Sequence, residues 1–283
     1  MDKTYDRSVY DFITGSGQHQ VSTLVGGSRL RTVNWKALHA DNYAILERFW
    51  TGMAGVGPWA FIDPSDRNLL LPNQASATST FNDSTGWVTS TGATNMGQIL
   101  SNAAGGTTQH SVYNARSLRW YFNVAAATTP VLQLTPPYRA WFGFPVVPGL
   151  SYKWAFWARP DGTVDSSITL AAKLRWYDSA GVELSDLTGG DTVTTTWTRL
   201  SVGGVAPAGA AYAFPRVVAT GSTITTGASV YIDEPILEQD TVLNDWAPGT
   251  GIRPVEILNL TDTVPFNAVF RQGISLVLRE LAP

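Results

Sequence analysis

The 283-residue chain contains no cysteine, which excludes disulfides, thiolate catalysis and Cys-based zinc sites together and leaves the redox compartment open. Charge is scarce as well. Asp, Glu, Lys and Arg supply 14% of residues where soluble domains average about 25%; Thr, Ser, Gly and Ala fill the deficit, a mix that suits short strands, tight turns and uncharged contact surfaces. The 19 basic residues are scattered and the net charge is −3, so the clustered cations that release counterions from a phosphate backbone are missing and no nucleic-acid recognition is expected. No apolar run approaches the ~20 residues of a membrane span. The opening MDKTYDRSVY lacks the apolar stretch of a secretory signal, and synthesis and folding in a cytoplasm are expected.

Catalytic patterns are also lacking. Neither a G-x-S-x-G nucleophile elbow nor a phosphate-cradling glycine loop occurs. His19, His39 and His110 are far apart, without metal-ligand spacing, and read as surface or polar-loop residues. A glycosidase needs two carboxyls converging on one bond. Asp161, Asp165, Asp178 and Asp186 instead sit in turn-like contexts, where Asp serves local backbone bonds. The expectation is a protein with no catalytic residue and no enzymatic activity.

What the chain does have is aromatic residues: 11 Trp, 10 Tyr and 11 Phe, enough to fill the cores of two ordinary domains of roughly 100–150 residues each. The pattern is mainly β. One helix is predicted from Asp41, as N-cap, to Met53, with Tyr43, Leu46, Trp50 and Met53 on one face and the glycines of GMAGVG ending it. VSTLVGGSRLRTVNWKAL reads as strands about a Gly-Gly turn. From Asn73 the texture becomes Ser/Thr/Gly/Ala-rich, and short alternating segments follow: SLRWYFNV, SYKWAFWA, ITLAAKLRWY, TWTRLSV and SVYIDEPILE. Alternation sends every second side chain to one face. Leu118, Trp120 and Phe122 therefore point together against Arg119 and Tyr121, and Tyr152, Trp154 and Phe156 against Lys153, Ala155 and Trp157. Many short strands with regular turn signals predict a sandwich or jelly roll.

After NDWAPGTG the strands IRPVEILNL and GISLVLREL need a sheet to join, and its partners are expected in the first 72 residues. This predicts a discontinuous outer β domain with one helix, residues 1–72 plus 252–283, interrupted by a β-sandwich insert over 73–251.

Two resemblances attach to these segments. The ordered set Phe81-Asn82-Asp83, Thr85-Gly86-Trp87, SLRWYF, SYKWAFWARPDG, RWYDSAGVEL, TWTRLSVGGVAPAGAAYAFPRV and VYIDEPILEQ resembles the jelly-roll carbohydrate-binding modules attached to glycan-degrading enzymes. The flanks, with Gly57-Pro58-Trp59, Ile62-Asp63-Pro64, Asn68-Leu69-Leu70, Trp246-Ala247-Pro248-Gly249-Thr250-Gly251 and the closing ISLVLREL, resemble minor and distal tail proteins of siphophages, of tail-tube-like fold. The resemblance implies a virion tail-tip subunit that forms a homo-oligomeric ring. It would contact other tail proteins (tube, tip, baseplate or fibre) and display the insert toward host-surface polysaccharide. Two other functions fit the same sequence: a purely architectural tail protein whose insert is a spacer or docking platform, and an accessory glycan-binding module of a polysaccharide-degrading system.

Sugar faces stack on aromatic rings while hydroxyls need fixed polar partners. Trp157 and Tyr177 stand opposite the core phase of their strands and are glycan-binding candidates, with Lys173, Arg175 and Arg216 as hydrogen-bond donors. Tyr138 and Trp141, in LTPPYRAWFGFP, read as an aromatic loop. The same aromatics also fit packing against a ring. No cofactor is expected apart from a structural calcium that the module resemblance implies, at positions matching Asp83 and Asp233.

Overall fold

The computed structural model describes residues 2–5, 9–13, 19–23, 29–55, 57–62, 67–75, 86–89, 95–101, 116–122, 130–162, 164–220, 224–262, 264–265 and 270–281. In chain order these form strands β1 (Asp2–Tyr5), β2 (Val9–Ile13), β3 (His19–Thr23) and β4 (Arg29–His39), helix α1 (Ala40–Trp50), β5 (Trp59–Phe61), helix α2 (Pro72–Ala75), β6 (Trp87–Thr89), β7 (Asn95–Ser101) and β8 (Arg116–Tyr121). They continue with β9 (Val131–Leu134), β10 (Phe144–Pro145), β11 (Ser151–Pro160), β12 (Ser167–Tyr177), β13 (Glu183–Thr194) and β14 (Thr198–Val205). The last are β15 (Tyr212–Thr220), β16 (Ser229–Glu238), β17 (Arg253–Thr261), β18 (Val264–Pro265) and β19 (Phe270–Glu280). The protein is mainly β, and the chain divides into two compact units, 1–61 with 253–283 and 62–252. Among the described residues no helix is long and apolar enough to cross a membrane.

The discontinuous unit is built on one antiparallel sheet in the order β1-β4-β19-β17-β5, with β18 on β19, and also holds the separate β2-β3 hairpin. The C-terminal strand β19 lies between β4 and β17, pairing Leu276 with Val33 and with Leu260. Its inward residues Leu276 and Leu278 join Val255, and Val33, Trp35, Leu46, Trp59 and Phe61 pack around them. Arg31 is buried in this layer and is neutralised by Glu280.

Helix α1 lies on this sheet without burying any residue fully. Its cap lies two residues earlier than predicted, because it is the His39 ring, whose Nδ1 accepts from the Asp41 N–H at 3.3 Å; Asp41 itself sits in the first turn. It also stops at Trp50. Gly52 and Gly55 then take φ of +78° and +113°, angles that a helix cannot contain, so Met53 lies in the turn and is exposed.

The other unit is a β-sandwich of jelly-roll type. One sheet runs β13-β12-β15-β9-β6, with β10 also on β15, and the second runs β14-β11-β16-β8-β7. The core between them takes the predicted phase: Leu118, Trp120 and Phe122 line the inner face of the second sheet together with Tyr152, Trp154 and Phe156, opposed by Leu170, Leu174 and Trp176 from β12 of the first. Burial of each such ring stabilises the fold by about 2–3 kcal/mol. Tyr152 meets Trp176 edge-on at 5.8 Å between ring centroids, and the Trp154 indole donates across the core to the Arg216 carbonyl at 2.9 Å. The latter fixes the backbone of β15 from the opposite sheet.

The border of this unit lies upstream of the expected position. Residues 62–72 belong to the sandwich, not to the outer unit, because Leu69 and Leu70 are buried in its core and Asn68 is fully enclosed by it. Asn68 forms a parallel bridge with Gly249, and its side chain donates to the carbonyls of Pro235 at 3.0 Å and Ala247 at 2.9 Å. The departing and returning strands of the outer unit are neighbours too, with Phe61 opposite Arg253.

Candidate functional site

The residues of interest stand on the outer face of the first sheet, and register shows why they meet. On β12 the side chains of Leu170, Leu174 and Trp176 enter the core, so Lys173, Arg175 and Tyr177 point away from it. Antiparallel pairing places Lys173 beside Arg216, Arg175 beside Phe214 and Tyr177 beside Tyr212 on β15, with Gln133 of β9 next to Arg216. On the other flank, β13 sets Asp186 beside Arg175 and Glu183 beside Tyr177. The face is thus ordered in rows, aromatic toward one end and cationic next to it, about 7 Å apart for each two-residue step.

The aromatic rows carry a cover. The chain between β9 and β10 leaves the sheet and returns, and Phe142 from this loop lies over Phe214, Tyr177 and Tyr212 with centroids 5.2, 5.1 and 6.1 Å away, all edge-on. Gly143 makes the close approach feasible, since a Cβ there would stand 2.7 Å from the Phe214 ring. Phe142 is 46% exposed while Tyr177 and Phe214 beneath it are nearly covered.

The cationic row is hydrogen-bonded and unevenly balanced. Lys173 Nζ and Arg175 Nη2 both reach Asp186 Oδ2 at 3.2 Å, and Arg175 Nη1 reaches Glu183 at 2.9 Å. Burial works to lower the Arg175 guanidinium, but its hydrogen bonds to Tyr177 and Asp186 outweigh that and hold it above its ordinary value, so it stays charged. Arg216 donates to the Tyr177 hydroxyl at 3.4 Å and lies 5.9 Å from the centroid of the Phe214 ring.

Of the sequence-predicted candidates, Tyr177, Lys173, Arg175 and Arg216 come together here. Trp157 does not. It points outward from β11, on the opposite sheet, between Arg199 of β14 and Asp233 of β16. Phe156 there stands opposite two residues, Glu234 and Pro235, and this bulge leaves Glu234 at φ +48°, in left-handed backbone. The Glu234 carboxyl is pushed up by burial first and by the neighbouring Asp233 charge second, while an indole hydrogen bond from Trp157 opposes the shift. Trp141 belongs to the core, and Tyr138 packs edge-on against it at 5.4 Å; of the aromatic residues of this loop only Phe142 is exposed.

Asp83 lies outside the described residues. Asp233 is buried, its Oδ1 accepting from the Glu234 N–H at 2.9 Å, and among the described residues no three His, Cys, Asp or Glu side chains gather as a metal site. Asp186 corrects the sequence reading: it is a strand residue, not a turn residue, and its carboxylate ties two cations. Asp178 does cap a turn, accepting from Ala180 and Val182. Phe142, Tyr212 and Phe214 were not read from the sequence as site residues; the alternation of YAFPR, with Ala213 and Val217 in the core, was the available signal for two of them.

No protein-family model and no curated protein matches the chain. Solved structures with a similar arrangement of strands include three examples. One is the Clostridium thermocellum endo-1,4-beta-D-xylanase 10B CBM22-1-GH10 modules complexed with xylohexaose (15% identity, TM-score 0.43, 62% of this chain and 29% of that one). Another is the enzymatically active domain of tailspike protein 4 of bacteriophage CBA120 (15% identity, TM-score 0.42, 61% of this chain and 21% of that one). The third is the CBM22-1 xylan-binding domain from Paenibacillus barcinonensis Xyn10C (13% identity, TM-score 0.43, 64% of this chain and 100% of that one). Likenesses this distant carry no inference about what this chain binds.

Proposed function

We propose that this protein is a non-enzymatic structural subunit of a phage tail whose sandwich unit binds host-surface glycan. The observation that carries the binding reading is the outer face of the β12–β15 sheet. There Phe142, partly exposed, lies over Tyr177, Tyr212 and Phe214, and Phe214 stands one row from Lys173 and Arg216. A pyranose ring would stack on Phe142 while its hydroxyls accept from the cationic row. The tail reading, with residence in the virion and ring assembly with further copies and other tail proteins, is supported by the discontinuous outer unit. That unit leaves Ile45, Trp50 and Met53 exposed on and just after α1, as a subunit meant for burial in an assembly would.

The test is a glycan panel and purified cell walls presented to the full chain, with Phe142→Ala and Trp157→Ala in parallel. Saturable binding that falls at least about tenfold in Phe142→Ala, roughly the 1.4 kcal/mol of one stacking contact, and persists in Trp157→Ala is the expected result. Binding lost only in Trp157→Ala moves the site to the opposite sheet. Absence of binding by folded protein leaves the architectural role.

A further inference from the structure

From the charge balance of this face we infer that its ligand is an acidic polysaccharide, one whose sugars carry carboxylate or sulfate groups; the inference rests on the glycan-binding reading above. Lys173, Arg175 and Arg216 all point to this side of the sheet, and Asp186 and Glu183 are the carboxylates that register places with them. Asp186 uses one oxygen, Oδ2, for both Lys173 and Arg175. Glu183 sits on the edge strand, its side chain 44% exposed, and pairs with Arg175. Arg216 is at the centre of the sheet, and among the described residues it meets the Tyr177 hydroxyl and the Phe214 ring, neither of them a carboxylate. Among the described residues, three cations against two carboxylates leave an excess of positive charge, in a chain whose net charge is −3.

Placement makes that excess specific. Arg216 and Lys173 are direct cross-strand neighbours, so the guanidinium and the ammonium rise from the face side by side. They stand one row, about 7 Å, from Phe214 and two rows from Tyr177 and Tyr212. A sugar stacked against Phe142 therefore presents the next ring, or its own exocyclic substituent, to this pair. A neutral hydroxyl there forms an ordinary hydrogen bond; an anionic group forms charge-assisted ones, which are shorter and roughly twice as strong. Arg216 is also held in place for this task, since Trp154 fixes its backbone carbonyl from across the core.

The experiment is affinity electrophoresis of the full chain in gels containing polygalacturonate, dextran sulfate or neutral xylan, with Arg216→Gln, Arg216→Lys, Lys173→Gln and Phe142→Ala, each checked for a native melting transition. At least one acidic polymer is expected to retard the protein about tenfold more strongly than xylan, the increment of one charge-assisted bond. Arg216→Gln and Lys173→Gln should each remove most of that difference, Arg216→Lys should keep part of it, and high salt should weaken it. Polygalacturonate and dextran sulfate separate a carboxylate ligand from a sulfate ligand. If Arg216→Gln does not fold, Lys173→Gln carries the test. Equal retardation by xylan and both acidic polymers, or acidic binding indifferent to both glutamine variants, overturns the inference while a Phe142→Ala loss preserves the glycan site. No retardation of folded protein by any polymer overturns both.

Discussion

Asn68 ties together stretches of chain more than 160 residues apart. Its amide donates to Pro235 and Ala247 and its oxygen accepts from Leu70 and Leu237, all within a fully enclosed site. Removing one partner of a buried hydrogen bond strands the other, at about 1–3 kcal/mol each. Asn68→Ala leaves four backbone groups without their side-chain partner, and a loss of at least about 3 kcal/mol is expected in urea denaturation. Glu234 makes the opposite kind of contribution. Its folded pKa is raised above the ordinary 4.5, so folding is favoured while the carboxyl is protonated. That stability is fully present below about pH 4.5 and is lost as pH rises through the folded value. The melting temperature of Glu234→Gln should therefore gain on that of the native chain as pH increases from 4 to 7. A constant difference across that range contradicts this account. Neither role is legible in the sequence: Asn68 stands out there only as part of the Asn68-Leu69-Leu70 motif, because its buried partners are more than 160 residues away, and the Glu234 bulge depends on its partner strand. His39 as helix cap was missed because Asp41, two residues on, is the commoner capping type.

Elements were legible where large side chains alternate. SLRWYF puts Leu118 and two rings on one face and SYKWAFW puts three rings there, and period 2 alone assigns them. That signal fails in ELSDLTGGDTVT, whose residues are mostly exposed; it forms the edge strand β13, although its composition reads as turn. Its glycines explain the composition. β13 and β14 are the outermost strands of the two sheets, and at Gly189 a Cβ would stand 2.2 Å from the Ser201 carbonyl oxygen of β14. The sandwich closes along this side only because no side chain intervenes. Gly189→Val should part the two edge strands and destabilise the unit by about 2–3 kcal/mol, as overpacking does. Gly149→Ala, at φ +82° with nothing within 4 Å, should cost only the roughly 1 kcal/mol of its backbone angle. Equal costs in thermal unfolding contradict the close-approach account.

At the scale of the whole chain, the discontinuous plan was readable from texture. Alternating strands at the two ends flank a Ser/Thr/Gly/Ala-rich middle, and β19 does pair with β4. The exact border was not readable, because Leu69 and Leu70 look alike in either unit. The site was half legible. Phase placed Tyr177, Lys173 and Arg175 outward, but which strand lies beside β12, and that Phe142 folds over it, is set by pairing that no local pattern encodes. A fragment spanning 62–252 is expected to fold cooperatively alone. One beginning at residue 73 loses Asn68, Leu69 and Leu70 and should melt much lower or not fold, since each buried leucine contributes about 2–5 kcal/mol. Calorimetry of the two fragments checks this, and equal stability would place the border back at residue 72.

The central claim, that the outer face of the β12–β15 sheet receives glycan, is tested most directly by hydroxyl-radical footprinting of the full chain with and without a polysaccharide it binds. The account predicts that oxidation of Phe142 and Tyr212 falls on binding while that of Trp157, on the opposite sheet, is unchanged. Protection of Trp157 with Phe142 left as reactive as before would contradict it.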